Sequence, residues 1–443
     1  MEMREPNTQL NRLHQEAGWT QGQFARSVNR LGTEGGTPTT FGESTVHYWR
    51  KGHMPMEAVR PLILEALARK LGRPITHAEA GFPVPVHDQV NCSIVEELID
   101  LGRHDMERRN FIGASLFSVA LTIPNWPDIV GRMDAVQSGA ALRIGTPDVE
   151  LVTKMTDRLF QTFEDFGGRH TRPMAALFLI STVAPYLRTD GPEEVRKAMI
   201  SAASFLCYLT GWMAEDEALH GLAQKYYAKG LELAGASNDH LTYCHVLRGM
   251  SVQAADLGHG PTAVRLANAA ATSAPKSGPR LRAFFAGQQA YAFAVAGDDQ
   301  AALRSIRETE KALDIAESGA GSFGGFNPSI LAYATSQVRY HSGDIGGSIK
   351  SLELHFLLRD ATDTPRSAAR FGSVLAERQL EMGYLEAACQ TWNQVLDKYP
   401  SIHSGRVDRH VARIRSLLRP HEKNAVARDL SERSIQSTKR VNV

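Results

Sequence analysis

Apolar residues recur three and four positions apart through most of the chain, and strict apolar–polar alternation is scarce. This pattern predicts helices rather than strands, and an all-α fold. In the first eighty residues Leu10 and Leu13 share one helix face, Phe24, Ala25 and Val28 a second, and Val46 and Trp49 a third. Val59, Leu62, Ile63, Leu67 and Leu71 mark a fourth. Gly18 and Gly52 close the first and third helices, and Thr20 is placed to cap the second. Residues 1–82 therefore read as one compact helical unit.

Pro83 and Pro85 open a mixed polar stretch over residues 83–110, expected to be a linker because each proline removes a backbone donor and biases its neighbour away from helix. Residues 111–204 are expected to form helices without clear repetition, broken at Pro124, Pro127, Gly167–Gly168 and Gly191–Pro192. From 205 to 420 the pattern repeats. A small residue recurs at Gly211, Ser251, Ala290, Ser336 and Ala376, and a second at Ala223, Ala263, Ala302, Ser348 and Ala388, each series with gaps of 40, 39, 46 and 40. Seven positions after the first small residue stands Gly258, Gly297, Gly343 or Gly383, and Ala218 in the first unit. Paired small residues let the two helices of a hairpin approach closely, and the glycine suits the positive φ that ends a helix. Such a hairpin cannot bury its apolar face alone, so copies stack into a solenoid. The charged segment 421–443, after Pro420, is expected to be a tail carrying a last capping helix.

Composition changes this picture little. Among 443 residues, 49 are Lys or Arg and 48 Asp or Glu, a net charge of +1, which neither requires nor excludes a nucleic-acid partner. Cys92, Cys207, Cys244 and Cys389 lie far apart without a CxxC, which fits reduced thiols in a cytoplasmic protein better than disulfides or a zinc site. No apolar run approaches the roughly 18 residues of a membrane span. The stretch "RRNFIGASLFSVALTIP", Arg108 to Pro124, imitates a twin-arginine export signal but stands far from the N-terminus, and a buried amphipathic helix is the better reading.

The sequence carries no enzymatic constellation. The chain has no GxxxxGK[ST], HExxH or GxSxG, and Gly319, Gly321 and Gly324 have GxGxxG spacing without a preceding apolar strand. His14, His47 and His53 are joined by no Cys or carboxylate pattern. No enzyme activity, cofactor or metal is expected.

The stretch "ESTVHYWRKG" is the richest in chemistry. Val46 and Trp49, three apart, should seat its helix on the core, leaving Ser44, Thr45, His47, Tyr48 and Lys51 outward and Arg50 at the edge. Such a helix fits the major groove, with N-terminal residues near base edges and a basic end near phosphates. Thr20 and Gln21, opening the preceding helix, could hold a phosphate through side chains and free backbone donors. Residues 1–82 carry ten Arg or Lys against eight Asp or Glu, so one copy is weakly cationic and a dimer reading two half-sites is expected.

"TQGQFA" followed by "STVHYWRKG" resembles the helix-turn-helix of the phage-repressor-like (XRE) family, in which a Gln opens the second helix and a Trp and a Gly close the third. The sequence departs from it by an insertion, "NRLGTEGGTPTTFG" at residues 29–42, read as a wing or spacer. The hairpin array resembles tetratricopeptide repeats, with a period near 40 rather than 34. The combination is similar to Streptomyces regulators of sporulation and antibiotic production, carried by "VAPYLR", "GWMAEDEALHGLAQKYYAKGLELA" and "QAADLG", and more distantly to peptide-pheromone receptors of Gram-positive bacteria. The resemblance implies a cytoplasmic transcriptional regulator that binds double-stranded DNA, forms a homodimer through its array and senses a peptide, small ligand or protein partner. The repeat phase places Trp212, His245, Arg248, Phe284, Tyr291, Tyr333, Gln337, Tyr340 and Arg370 on the concave face, where aromatics interleaved with polar groups would suit an extended ligand. The competing reading is a protein-interaction scaffold that does not touch DNA.

Overall fold

The computed structural model describes residues 6–34, 38–73, 75–83, 94–106, 143–273, 278–316, 326–359 and 364–441. The twin-arginine stretch, the glycines at 319–324 and Cys92 lie outside them. The described residues form an all-α protein.

Four helices build the N-terminal head: α1 (Thr8–Glu16), α2 (Gln21–Glu34), α3 (Glu43–Arg50) and α4 (Arg60–Leu71). Their apolar faces meet in a separate core containing Leu10, Leu13, Phe24, Val28, Val46, Trp49, Leu62, Ile63 and Leu67. Gly18, Gly52 and Gly72 end α1, α3 and α4 with φ of +62°, +92° and +68°. The insertion after Val28 is not wholly a loop. Its first six residues prolong α2 to Glu34, because Leu31 and Gly32 continue the buried stripe.

Helix α5 (Ile94–Met106) falls in the stretch expected to be a linker. Ile94, Val95, Leu98, Ile99 and Gly102 make one buried face. The next described helices are α6 (Thr146–Phe166) and α7 (Gly168–Phe178), which continues through a π turn at Leu179–Val183 into the short α8 (Ala184–Leu187). Helix α5 packs on α7, the π turn and α8.

The repeats follow as hairpins: α9 (Glu193–Asp216) with α10 (His220–Ser237), α11 (His240–Asp256) with α12 (Gly260–Thr272), and α13 (Pro279–Val295) with α14 (Asp299–Asp314). Then come α15 (Pro328–His341) with α16 (Ile345–Leu358), and α17 (Pro365–Glu381) with α18 (Leu385–Lys398). The boundary expected at residue 205 lies inside α9, which begins twelve residues earlier. The C-terminal segment is helical. α19 (Gly405–Leu418) and α20 (Ala425–Val441) form one more hairpin, with Ala427 and Leu430 buried against α18 and α19.

The small residues do what their spacing implies. Ser251 Oγ donates to the Ala263 carbonyl at 2.8 Å, and Ser336 Oγ lies 3.4 Å from Ser348 Oγ. At Gly211 a Cβ would stand 2.7 Å from the Tyr227 ring and 3.2 Å from the Ala223 carbonyl. The five hairpin turns share one backbone solution. Gly258, Gly297, Gly343 and Gly383 have φ of +77° to +82°, and Ala218 takes the same left-handed conformation at +64°. In each turn the next amide reaches back to the carbonyl five residues earlier, as Leu219 does to Ala214 at 2.9 Å and His259 to Ala254 at 2.8 Å. An L side chain pays roughly 1–2 kcal/mol in this region, partly offset by the extra freedom glycine has when unfolded. Ala218→Gly is therefore expected to stabilise the protein by about 0.5–1 kcal/mol. Gly297→Ala, where no atom would crowd the new methyl, should lose a similar amount, both read as shifts of the urea-unfolding midpoint.

The array also closes on itself. Arg406 of α19, buried, pairs with the buried Glu215 of α9 and lies 3.3 Å from Asp256 at the end of α11. Arg366 of α17 pairs with Glu164 of α6 and, at 3.2 Å, with Asp216 of α9. Backbone bonds join the same ends, His403 N to Phe166 O at 2.7 Å and Arg169 N to His403 O at 3.1 Å. The first and last hairpins are thus in direct contact. Cys207, Cys244 and Cys389 are buried free thiols, and burial pushes Cys244 up to about 12.

Candidate nucleic-acid interface

The geometry of the head follows from how α3 is held. Val46 is fully buried and Trp49 is 6% exposed, with Phe41 packed edge-on against the Trp49 ring at 5.2 Å between centroids. Phe41 is fixed in turn by Asn29 of α2, whose side chain accepts from Phe41 N at 2.8 Å and donates to Phe41 O at 2.9 Å. The described end of the insertion, residues 38–42, is thus held against α2 where it enters α3. Ser44, His47 and Lys51 are exposed, Thr45 is half-buried, and Tyr48 is 56% exposed with edge-on contacts to His47 and His53. Lys51 makes no ion pair among the described residues.

Three of the residues expected to face DNA are committed to the fold. Thr20 and Gln23 form a capping box: Gln23 N donates to Thr20 Oγ1 at 3.2 Å and Thr20 N to Gln23 Oε1 at 2.9 Å. Gln21, with its amide oriented to satisfy both ends, donates to Glu43 O and accepts from Arg50 Nη1, each at 3.1 Å. Arg50 is half-buried; its Nε donates to Asn11 Oδ1 at 2.5 Å, and its carbonyl accepts from Asn7 N and Asn11 Nδ2. Arg50 thus clasps α1, α2 and α3 together instead of projecting from the edge of α3. Its partners lie 29 and 39 positions away in sequence, which the local spacing could not reveal.

Arg26 and Arg30, whose sequence context gives no sign of a role, are exposed and share one face of α2 by their spacing of four. Glu43 stands near Arg26: a Cβ on Gly22 would lie 2.4 Å from Glu43 Oε1 and 3.4 Å from Arg26 Nη1, so the glycine makes room for both side chains. The head meets the array at the far end of α2. Glu34 holds Arg69 through two bonds of 2.7 and 2.8 Å and lies 4.0 Å from His259 in the α11–α12 turn. Burial lowers the His259 pKa, as does Arg69, while Glu34 opposes them.

The nine residues expected on the concave face lie in adjoining clusters. Trp212, His245, Arg248 and Phe284 gather near Tyr208, with the Arg248 guanidinium 3.9 Å above the Phe284 ring. Tyr291 and Arg370 both reach Asp256, at 2.9 and 3.4 Å. Tyr333 packs on Phe371 at 4.5 Å, while Gln337 and Tyr340 surround the buried Arg378, which lies 4.3 Å over the Tyr340 ring. Several of these side chains are thus engaged by neighbours that tie one hairpin to the next. No described helix is long and apolar enough to cross a membrane.

Residues 10–83 match the family model described as the SP15 N-terminal domain. The matched segment coincides with the head, ending where its described residues end. No curated protein matches the chain.

Proposed function

We propose that this chain is a DNA-binding transcriptional regulator, with α3 as the groove-reading helix and the hairpin array as the part that dimerises and senses a peptide, small ligand or protein partner. One observation carries the reading. Val46 and Trp49 seat α3 firmly while Ser44, His47, Tyr48 and Lys51 stand open to solvent. A helix held this way presents donors for base edges at its start and a cation for phosphate at its end. Arg26 and Arg30 extend the cationic surface along α2. An effector on the inner face would act by exchanging the ion pairs at Asp256 and Glu215, and a change in array shape would alter the spacing of two heads.

Binding of duplex is expected to fall steeply with salt, because phosphate neutralisation supplies most of the affinity. Lys51→Ala should weaken binding to every sequence and reduce the salt slope by about one. Ser44→Ala or His47→Ala should instead change sequence preference, by about 1–3 kcal/mol at the affected base pair. Gel shifts across a salt series with a randomised duplex pool measure both. Salt-independent binding, or none, would leave the adaptor reading, in which the same face docks a protein.

A further inference from the structure

Helix α16 carries three large apolar side chains in the open. Leu357 is 80% exposed, and Leu354 and Leu358 are each 46% exposed. At spacings of three and four they form one ridge over the last two turns. Directly beside it, between α16 and α18, runs a groove of about 320 Å³ lined by Phe356, Ala368, Leu375 and Val395. Gly372 gives the groove its depth, since a Cβ there would stand 3.0 Å from Val395 Cγ2. Glu353 borders it on the α16 side and Lys398 on the α18 side. Both are exposed, and neither forms an ion pair among the described residues.

We propose that this face is the interface of a symmetric dimer of this chain, in which Leu357 of each copy enters the groove of the other and Glu353 of each meets Lys398 of the other. The occupant is argued from self-complementarity. In a two-fold interface whatever one copy offers the other must receive, so a ridge and a matching hollow have to lie side by side on the same chain. The charges obey the same rule, one of each sign flanking the groove. A partner of different sequence would need the hollow alone, with a rim of any sign. An apolar ridge on a surface otherwise rich in charge is the kind of patch that marks a contact site. The proposal gives a location to the self-association proposed above and is independent of whether the head binds DNA.

Sedimentation equilibrium of the full chain at tens of micromolar is expected to give twice the chain mass. Leu357→Glu, on the surface, should give a monomer with an unchanged unfolding midpoint. Glu353→Lys and Lys398→Glu should each weaken dimerisation roughly tenfold, and the double variant should restore it. A monomeric wild-type chain, a dimer indifferent to Leu357→Glu, or a charge swap without rescue would each overturn the proposal. A gel shift on the same samples keeps the two ideas apart. A dimer that ignores duplex sinks the DNA reading alone, and a monomer that binds duplex sinks this one alone.

Discussion

Replacing Arg406 by alanine is expected to cost about 3–5 kcal/mol of stability, because it strands a buried carboxylate. Among the described residues Glu215 then keeps one hydrogen bond, from the Tyr227 hydroxyl to its Oε2 at 3.0 Å. Burial already holds the Glu215 carboxyl above its ordinary value, with Arg406 the main influence drawing it down. A folded-state pKa above the unfolded one means that the folded protein holds the proton more tightly. Stability then falls as pH rises through that window. Without Arg406 the window extends upward, so the deficit of the variant relative to wild type should be largest near neutral pH and shrink on acidification. Adding Glu215→Gln should recover most of the loss at neutral pH, since the uncompensated charge is gone. Urea unfolding of the three proteins across a pH series measures this; a deficit that is flat in pH would show that the guanidinium acts through packing alone.

Trp49→Ala is expected to unfold the head and leave the array standing. Truncating a buried tryptophan typically costs about 3–5 kcal/mol, and the head core is small and separate from that of the array. Removing Trp49 also deprives Phe41 of its ring partner and frees the return of the insertion. Hydrogen exchange over residues 8–71 should rise to near-unfolded rates, while α9 to α18 keep their protection. Duplex binding should vanish with it. Trp49→Phe, which keeps an aromatic plug, should retain both the fold and most of the binding. Uniform loss of protection along the chain would show instead that head and array unfold as one unit.

The periodic part of the fold was legible because its causes are local. A small residue on each helix of a hairpin and a left-handed residue at the turn leave a fixed spacing, and even the exception at Ala218 adopts the glycine's conformation. The head's core was legible for the same reason. What escaped depends on distant partners. Helix α5 hides among charges and prolines, and its buried face is explained by α7 with its π turn, α8 and α10, which pack on it. The closing pairs, Arg406 with Glu215 and Arg366 with Glu164, join residues about two hundred positions apart and have no period to betray them. Arg50 looked like a phosphate ligand because its sequence neighbours are polar, while Asn11 and Gln21, which hold it, belong to other helices.

Contact between the two ends of the array also limits how such a protein can change over generations. An open stack can gain or lose a unit by duplication or deletion, since only one neighbouring interface is rebuilt. Here an extra hairpin would move α17 and α19 by about 10 Å, the width of one packed helix layer. Both arginines would miss their carboxylates, and Glu215 would remain buried without its partner. The number of units is thereby locked, and variation is confined to side chains and to the connections between hairpins, such as the longer one between α14 and α15.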